Sequence, residues 1–535
     1  MHLENVFRKH SVPDLAYFSF AVLVVIGVSA INLFDPINIY SFTRDVWHHM
    51  AVLNALMESP FDAVNPHIVS DAPSRTYMPW YFLMALIGKA FGLNALQVLG
   101  VSALLTMTTL IIGVRMFAKE YFQNDWAPLV LLASLLGGWG IEFNYIGLSN
   151  LETFVFSAGY PASIIMALGF FAWWAVLRYL KSPEKNYWHL GVILLITAFS
   201  FPTHHLQSGF TMGTMGVLAF FSREGSLKKG VFVGLAIAAG LILSSFWFYY
   251  NPFDFLLLGA NYAGWETGQF WYGSTFIIFL VGIGYFGIFG FYDYKAGRWR
   301  WDLVIGFSAI MAGFFIGKIL GSPVSHRFLP FWIFFLHIGL TGFILSWPLK
   351  LKFKEQIGFL PLLQKVGAYL LIASVSYHIY HGIHFYFAYK GFHEGTHALP
   401  NKALHPHILD AAKKLPTYFQ PGDVLIAHRE AAYPPQAFGI KLVSIPRPFP
   451  LVPDMAERQK ASKDFFSEGF TNDRRWEIIE KYNVSHILYR EYWAETGVPD
   501  ALRAFGEVIY INEDLKLIPI DFSRKPYLGT NDGDK

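Results

Sequence analysis

Asp45, His48 and His49 stand together in the stretch 35–60, DPINIYSFTRDVWHHMAVLNALMESP. Spacings of three and four put both imidazoles beside the carboxylate on one face of a helix. One carboxylate with two imidazoles can act as a general base with proton partners. The same set can bind a divalent metal. Farther on, Asn150 and Glu152 bracket Leu151, with Glu142 nearby. The hard oxygens of Glu152 can complete a magnesium or manganese set with Asp45 and His48. His326 and Arg327 open the run SHRFLPF. An arginine offers phosphate a planar fork and never loses its charge. His204 and His205 can assist a phosphate or bind a metal, and His378, His381 and His384 follow one helix face. A plainer reading accompanies each residue: an interfacial helix wetting its polar face, ordinary loop polarity, or an arginine reaching for headgroups.

The elements that must position these residues are membrane helices. The chain has 535 residues, 54% of them hydrophobic and only 15% charged. Soluble domains carry about 25% charged residues. The shortage is local: 40 Lys, Arg, Asp and Glu lie in residues 1–387, and 39 lie in the last 148. A span needs about 20 apolar residues to cross roughly 30 Å of hydrocarbon. Eleven segments qualify, near 15–34, 93–114, 126–141, 160–179, 188–203, 206–221, 230–250, 272–292, 302–320, 328–347 and 362–387. Residues 76–92 read as an interfacial or re-entrant helix, since Pro79 and Lys89 leave no clean span. The expected division is a transmembrane domain over residues 1–387, with 35–92 its first outer loop, and a soluble domain over residues 388–535.

Loop charges set the orientation. Every second loop is basic, from Arg8 and Lys9 through Arg115 and Lys119, Arg178, Lys181 and Lys185, to Lys350, Lys352 and Lys354. Lys and Arg collect on the cytoplasmic side, so the N-terminus is expected inside and the C-terminal domain outside. Arg44, Arg75 and Arg327 are the clear exceptions in the alternate loops. The candidate residues all fall on that outer side, and membrane-edge polar groups of this kind tend to be functional. The first apolar run lacks a small-x-small cleavage site and reads as an anchor. There is no cysteine, which excludes disulfides, thiolate zinc sites and a cysteine nucleophile. An exported domain without cysteine fits a bacterial plasma membrane. A net charge of +3 makes no case for nucleic acid.

The soluble domain reads as α/β. DVLIA (423–427), KLVSI (441–445), SHILY (485–489) and EVIYI (507–511) have strand composition, and 455–468, 473–482 and 494–505 have helical spacing. It carries no glycine-rich nucleotide fingerprint. A cap or acceptor platform is the expected role.

These features together resemble the GT-C superfamily of integral-membrane glycosyltransferases. The resemblance rests on Asp45 within RDVWHH soon after the first span, on SHRFLPF at the entry to a late span, and on the hydrophilic domain after the last span. It implies a GT-C-like bundle of about eleven helices with an extracytoplasmic α/β domain. It implies transfer of a hexose or pentose, with inversion, from a polyprenyl-phosphate-type carrier to a glycan, lipid or protein. Asp45 would deprotonate the acceptor hydroxyl, with His48, His49 and Glu152 about it. Arg327, with His326 or the His204–His205 pair, would neutralise the leaving phosphate. A magnesium or manganese ion at Asp45, His48 and Glu152 is optional. The paired acid common in the first loop of that superfamily is replaced here by Asp45 with two histidines, and no WWDYG-like motif follows the last span, which disfavours an N-linked oligosaccharyltransferase. Two other readings stay open: a transporter or flippase of a lipid-linked or polar solute, and a non-catalytic GT-C-like envelope-assembly protein.

Overall fold

The computed structural model describes residues 11–34, 45–139, 151–181, 187–259, 282–294, 296–320, 328–346, 359–395, 411–428, 431–445, 449, 451–490, 498–512 and 515–525. In chain order the helices are α1 (Val12–Phe34), α2 (Asp45–Glu58), α3 (Pro79–Phe91), α4 (Ala95–Phe122), α5 (Ala127–Gly137), α6 (Leu151–Ser157), α7 (Pro161–Lys181), α8 (Trp188–Thr203), α9 (His205–Phe221), α10 (Leu227–Ser244) and α11 (Pro252–Gly259). A 3-10 helix (Gly282–Phe291) and a short hairpin of β1 (Tyr292–Asp293) and β2 (Arg298–Trp299) precede α12 (Trp301–Ile319), α13 (Leu329–Leu345) and α14 (Phe359–Gly395). Then come β3 (Val424–Ala427), α15 (Tyr433–Gln436), β4 (Lys441–Leu442), α16 (Met455–Phe465), α17 (Asn472–Tyr482), β5 (His486–Arg490), α18 (Val498–Leu502), β6 (Ile509–Tyr510) and β7 (Leu515–Pro519).

The chain forms two compact units. Unit 1 takes Met1–Ile39, Leu99–Pro252 and Trp265–Gly391, and unit 2 takes Tyr40–Val98, Phe253–Gly264 and Phe392–Lys535. The stretch between the first two spans therefore belongs with the C-terminal residues.

Unit 1 is helical. Among the described helices, α1, α4, α7, α10 and α12 are long and apolar enough to cross a membrane, and α5, α8 and α13 contain shorter apolar helices. Each of the eleven segments read from the sequence coincides with a helix. The eighth is described only from Gly282, where it is 3-10. That helix lies against α13 through glycines: a Cβ at Gly287 or Gly290 would strike the backbone of Leu336 or Gly339. Small residues allow such close backbone approach between membrane helices.

Charges gather at one end of this bundle. Asp14, at the start of α1, meets Arg115 at 2.9 Å and Lys119 at 2.7 Å, both late in α4. Glu120 meets Arg178 at 3.4 Å and Lys181 at 2.8 Å at the end of α7. Tyr121 donates to Asp302 at the start of α12 (2.7 Å), and Arg300 lies over the Tyr121 ring. These basic residues are those that the alternating-loop pattern assigned to one side.

Helix α5 ends after 11 residues, about 16 Å at 1.5 Å per residue, short of a full crossing. Carbonyls left open in apolar surroundings need partners. Ser374 of α14 donates to the Gly137 carbonyl. His378 Nε2 donates to the Trp139 carbonyl just beyond (3.1 Å), and Ser134 bonds His337 Nδ1 at 2.8 Å. His378 thus closes a helix end. The side chains of His381 and His384 lie outside the described residues.

Unit 2 is built on a five-stranded sheet of order β4-β3-β5-β7-β6. Strand β3 pairs parallel with β4 and β5, and β7 pairs antiparallel with β5 and β6. Alternation along the strands sends Leu425, Ala427, Leu488 and Leu517 to one core and Val424, Ile426, Ile487 and Ile518 to the other. The four strand regions and the helical regions read from the sequence are present. A fifth strand, β7, was not expected: its run LKLIP places Lys516 at a buried position, where its ammonium lies over the Tyr510 ring at 4.3 Å.

Helices α2 and α3 pack as a pair in this unit. Helix α3 spans 13 residues, starts on Pro79 and ends at Gly92, whose φ of 64° is left-handed. Its length is about 20 Å, short of the roughly 30 Å of hydrocarbon. Past α2, residues 65–68 join the sheet edge, where Ile68 bridges in parallel to Leu442.

Candidate active site

Asp45 is the first residue of α2 and is half-buried. Its carboxylate there complements the positive end of the helix. His48 and His49 follow within one turn and diverge, because successive helical residues point about 100° apart. His49 meets the Tyr81 ring of α3 edge-on at 5.2 Å. His48 is 4% exposed and lies flat on His67, with centroids 4.0 Å apart and planes at 7°. Phe449 packs against both rings, at 5.6 Å and 5.2 Å.

Cations stand around the imidazoles. The Arg75 guanidinium lies over Phe255 at 4.7 Å and is near enough to His48 and His67 to oppose their protonation. Lys441, which donates to the Asn65 carbonyl, acts likewise on His67. Burial is the larger cause: it pushes His49 and His67 down to about 3 and His48 well below the usual imidazole value. All three rings are therefore neutral at neutral pH, and weak bases. Nδ1 of His48 and both ring nitrogens of His67 make no hydrogen bond among the described residues, and Gln436 approaches His67 without reaching bonding geometry. Leaving a buried polar atom unsatisfied costs about 1–3 kcal/mol. This cluster is held at some expense.

The other candidates are placed as follows. His204 and His205 sit at the junction of α8 and α9 in unit 1, where Pro202 lies in the last turn of α8 and His204 turns extended. His205 Nε2 lies 3.1 Å from the Pro252 carbonyl, and its ring lies against Phe201. Glu152 lies on α6, and its side chain is outside the described residues, as are Glu142, Asn150, His326 and Arg327. As for a divalent ion, among the described residues no three His, Asp or Glu side chains converge as a metal site requires. Two rings stacked face to face also cannot aim their in-plane nitrogens at one ion between them. The expected set of Asp45, His48 and Glu152 includes a side chain, that of Glu152, outside the described residues.

Two residues of the cluster escaped the sequence reading. Arg75 carries a signal in the sequence, as one of the polar residues of the first outer loop and as an exception to the charge pattern of the loops. His67 gave no signal, since nothing in NPHIVS announces a partner nineteen residues earlier.

No protein-family model and no curated protein sequence matches the chain. Solved structures do match. The oligosaccharyltransferase of Archaeoglobus fulgidus in its apo form aligns over 92% of this chain and 73% of its own, with a TM-score of 0.53 and 11% identity. ArnT from Cupriavidus metallidurans, bound to undecaprenyl phosphate, aligns over 94% of this chain and 98% of its own, with a TM-score of 0.52 and 12% identity. The chain has the GT-C fold. A multi-pass membrane bundle with a C-terminal sheet domain is thus its architecture, as the composition and the motifs led one to expect. The A. fulgidus enzyme has also been solved with an inhibitory peptide and dolichol-phosphate, and that structure matches at a TM-score of 0.53 and 12% identity. Within the GT-C fold, Asp45 of this chain lies at the start of the first described helix after α1.

Proposed function

We propose that the protein is a glycosyltransferase that moves a sugar from a polyprenyl-phosphate-type lipid to an acceptor outside the cytosol. The observation that carries this reading is Asp45, a half-buried carboxylate one turn from a buried imidazole cluster flanked by Arg75, in a chain with the GT-C fold. Likeness to structures solved with dolichol-phosphate and undecaprenyl phosphate supports the class of donor. The basic, ion-paired end of unit 1 supports an orientation with that end and the N-terminus cytoplasmic. Unit 2 would then face outward from the plasma membrane. In this reading residues 1–387 without the loop 35–92 form the membrane domain, and residues 388–535 with that loop form the outer one.

The chemistry balances without a redox partner. Asp45 takes the proton of an acceptor hydroxyl, whose oxygen attacks the anomeric carbon. The bond from that carbon to the phosphate oxygen breaks, and the phosphate leaves with the electron pair. The sugar inverts and stays with the acceptor. His48 and His49, kept neutral by burial, are poor proton acceptors beside a carboxylate that water can reach. The charge growing on the phosphate calls for fixed cations. Arg327, with His326, His204 and His205, and now Arg75 near His48 and His67, are the residues proposed to meet it.

The test is Asp45→Asn in the full-length protein in lipid nanodiscs. The donors would be synthetic decaprenyl phosphates carrying labelled hexoses or pentoses, and the readout release of decaprenyl phosphate. Loss of turnover with an unchanged thermal transition is expected. Full turnover by the variant refutes the base assignment.

A further inference from the structure

The stack of His48 on His67 has no place in the transfer chemistry, yet it is among the most constrained contacts near Asp45. His67 is fixed from its backbone. The Leu442 N–H donates to the His67 carbonyl at 2.9 Å, and Asn65 Oδ1 accepts from the backbone N–H groups of His67 (3.1 Å) and Ile68 (3.3 Å). The residue is therefore tied to the edge of β4. Its ring is fully buried, with His48 flat on one face and Phe449 tilted against it.

Two imidazoles in this arrangement cannot share a proton. Their N–H bonds lie in the ring planes, and the planes are nearly parallel, so neither ring points a hydrogen at the other. What the stack transmits is position. Covering one face of His48 fixes how the first turn of α2 is rotated, and Asp45 lies three residues earlier on that turn. Two further contacts hold α2. Asn54 Nδ2 donates to the Ala437 carbonyl at 2.8 Å, and Trp47 lies 6.2 Å from Phe438. Both partners belong to the connection between β3 and β4.

We propose that His67 is a positioning residue for Asp45, passing the register of the β4 edge to the first turn of α2 through its flat contact with His48. This rests on the transferase reading, in which Asp45 takes the acceptor proton. The required property is a flat ring rather than a ring nitrogen. A displacement of about 1 Å at a reacting group can cost ~100-fold in rate.

The experiment compares wild type, Asp45→Asn, His67→Ala and His67→Phe, all full length in nanodiscs, with whichever decaprenyl-phosphate sugar the wild type consumes. His67→Ala should lower kcat by ~10- to 100-fold while KM for the donor moves less than about threefold. His67→Phe should return kcat to within about threefold of wild type, with the wild-type pH profile. An Ala variant with wild-type kcat in its folded fraction overturns the proposal, even where its thermal transition falls. A Phe variant that melts like wild type but turns over like the Ala variant overturns it too, because the ring nitrogens would then be needed. Should the Ala variant not fold, the Phe variant still decides. If Asp45→Asn keeps full turnover, or the wild type consumes no donor, the transferase reading fails and the positioning role falls with it. If Asp45→Asn is inactive while both His67 variants match wild type, only the positioning role is lost.

Discussion

At one end of unit 1, Asp14 sits 2.9 Å from Arg115 and 2.7 Å from Lys119, and Glu120 is likewise shared by Arg178 and Lys181. Around His48 in unit 2, the imidazoles meet one another, Arg75 opposes protonation of His48 and His67, and Lys441 opposes that of His67. The first region neutralises its charges pairwise in partly solvated surroundings, which holds helix ends in place and does little else. The second keeps Nδ1 of His48 and both ring nitrogens of His67 dry and without a hydrogen bond among the described residues, an arrangement that stability alone does not favour. Perturbed titratable groups of this kind mark candidate functional sites. The contrast separates charges that orient a membrane protein from polar groups that can serve a reaction.

The sharpest break would come from Asp45→Asn. Removing a general base costs ~10²- to 10⁴-fold in rate, and we expect kcat to fall by that much with the thermal transition unchanged. Asp14→Asn in the same assay should leave kcat alone.

Arg75→Ala should follow, with kcat/KM down ~10- to 100-fold if the guanidinium meets phosphate charge in the transition state. Arg75→Lys should recover only some of that loss, because an ammonium lacks the planar fork and stacks poorly on Phe255. Equal activity of all three forms would return Arg75 to a packing role.

The pH dependence of stability should separate the regions as well. The folded-state values of His49 and His67 are depressed to about 3, whereas an unfolded imidazole titrates near 6.5. Between those values the unfolded chain binds protons that the folded chain refuses. Stability is therefore intact above about pH 6.5 and falls as pH drops towards 3, by ~1.4 kcal/mol per unit per histidine. Urea midpoints from pH 7 to pH 4.5 would show it, and His49→Phe with His67→Phe should flatten the curve. An unchanged slope in the double variant would place the acid sensitivity elsewhere.

The smallest effect belongs to the ion-paired end. Asp14→Asn should cost less than about 1 kcal/mol, because its partners are about one-third exposed and such pairs contribute little. A shift well beyond that in the thermal transition would show that the Asp14 cluster holds more of unit 1 than its exposure implies.

The membrane bundle, its segments and the presence of an α/β domain are legible in the amino-acid sequence. Those follow from runs of about 20 apolar residues and from short-range periodicity, which are local properties of the chain. It also marked Asp45, His48 and His49, because residues three and four apart on a helix need no tertiary information to be neighbours. It missed β7, whose buried Lys516 breaks the apolar pattern that a strand of the core would show. It takes the folded chain to show that the stretch after span one folds with the C-terminal sheet, that residues 65–68 extend the β4 edge, and that His67 lies on His48. Such contacts join positions hundreds of residues apart, as Asn65 with Lys441 or Asn54 with Ala437, and no spacing rule reaches that far. The two histidines of the stack are nineteen positions apart, a separation no helical or strand period repeats. Their meeting depends on where β4 holds the backbone.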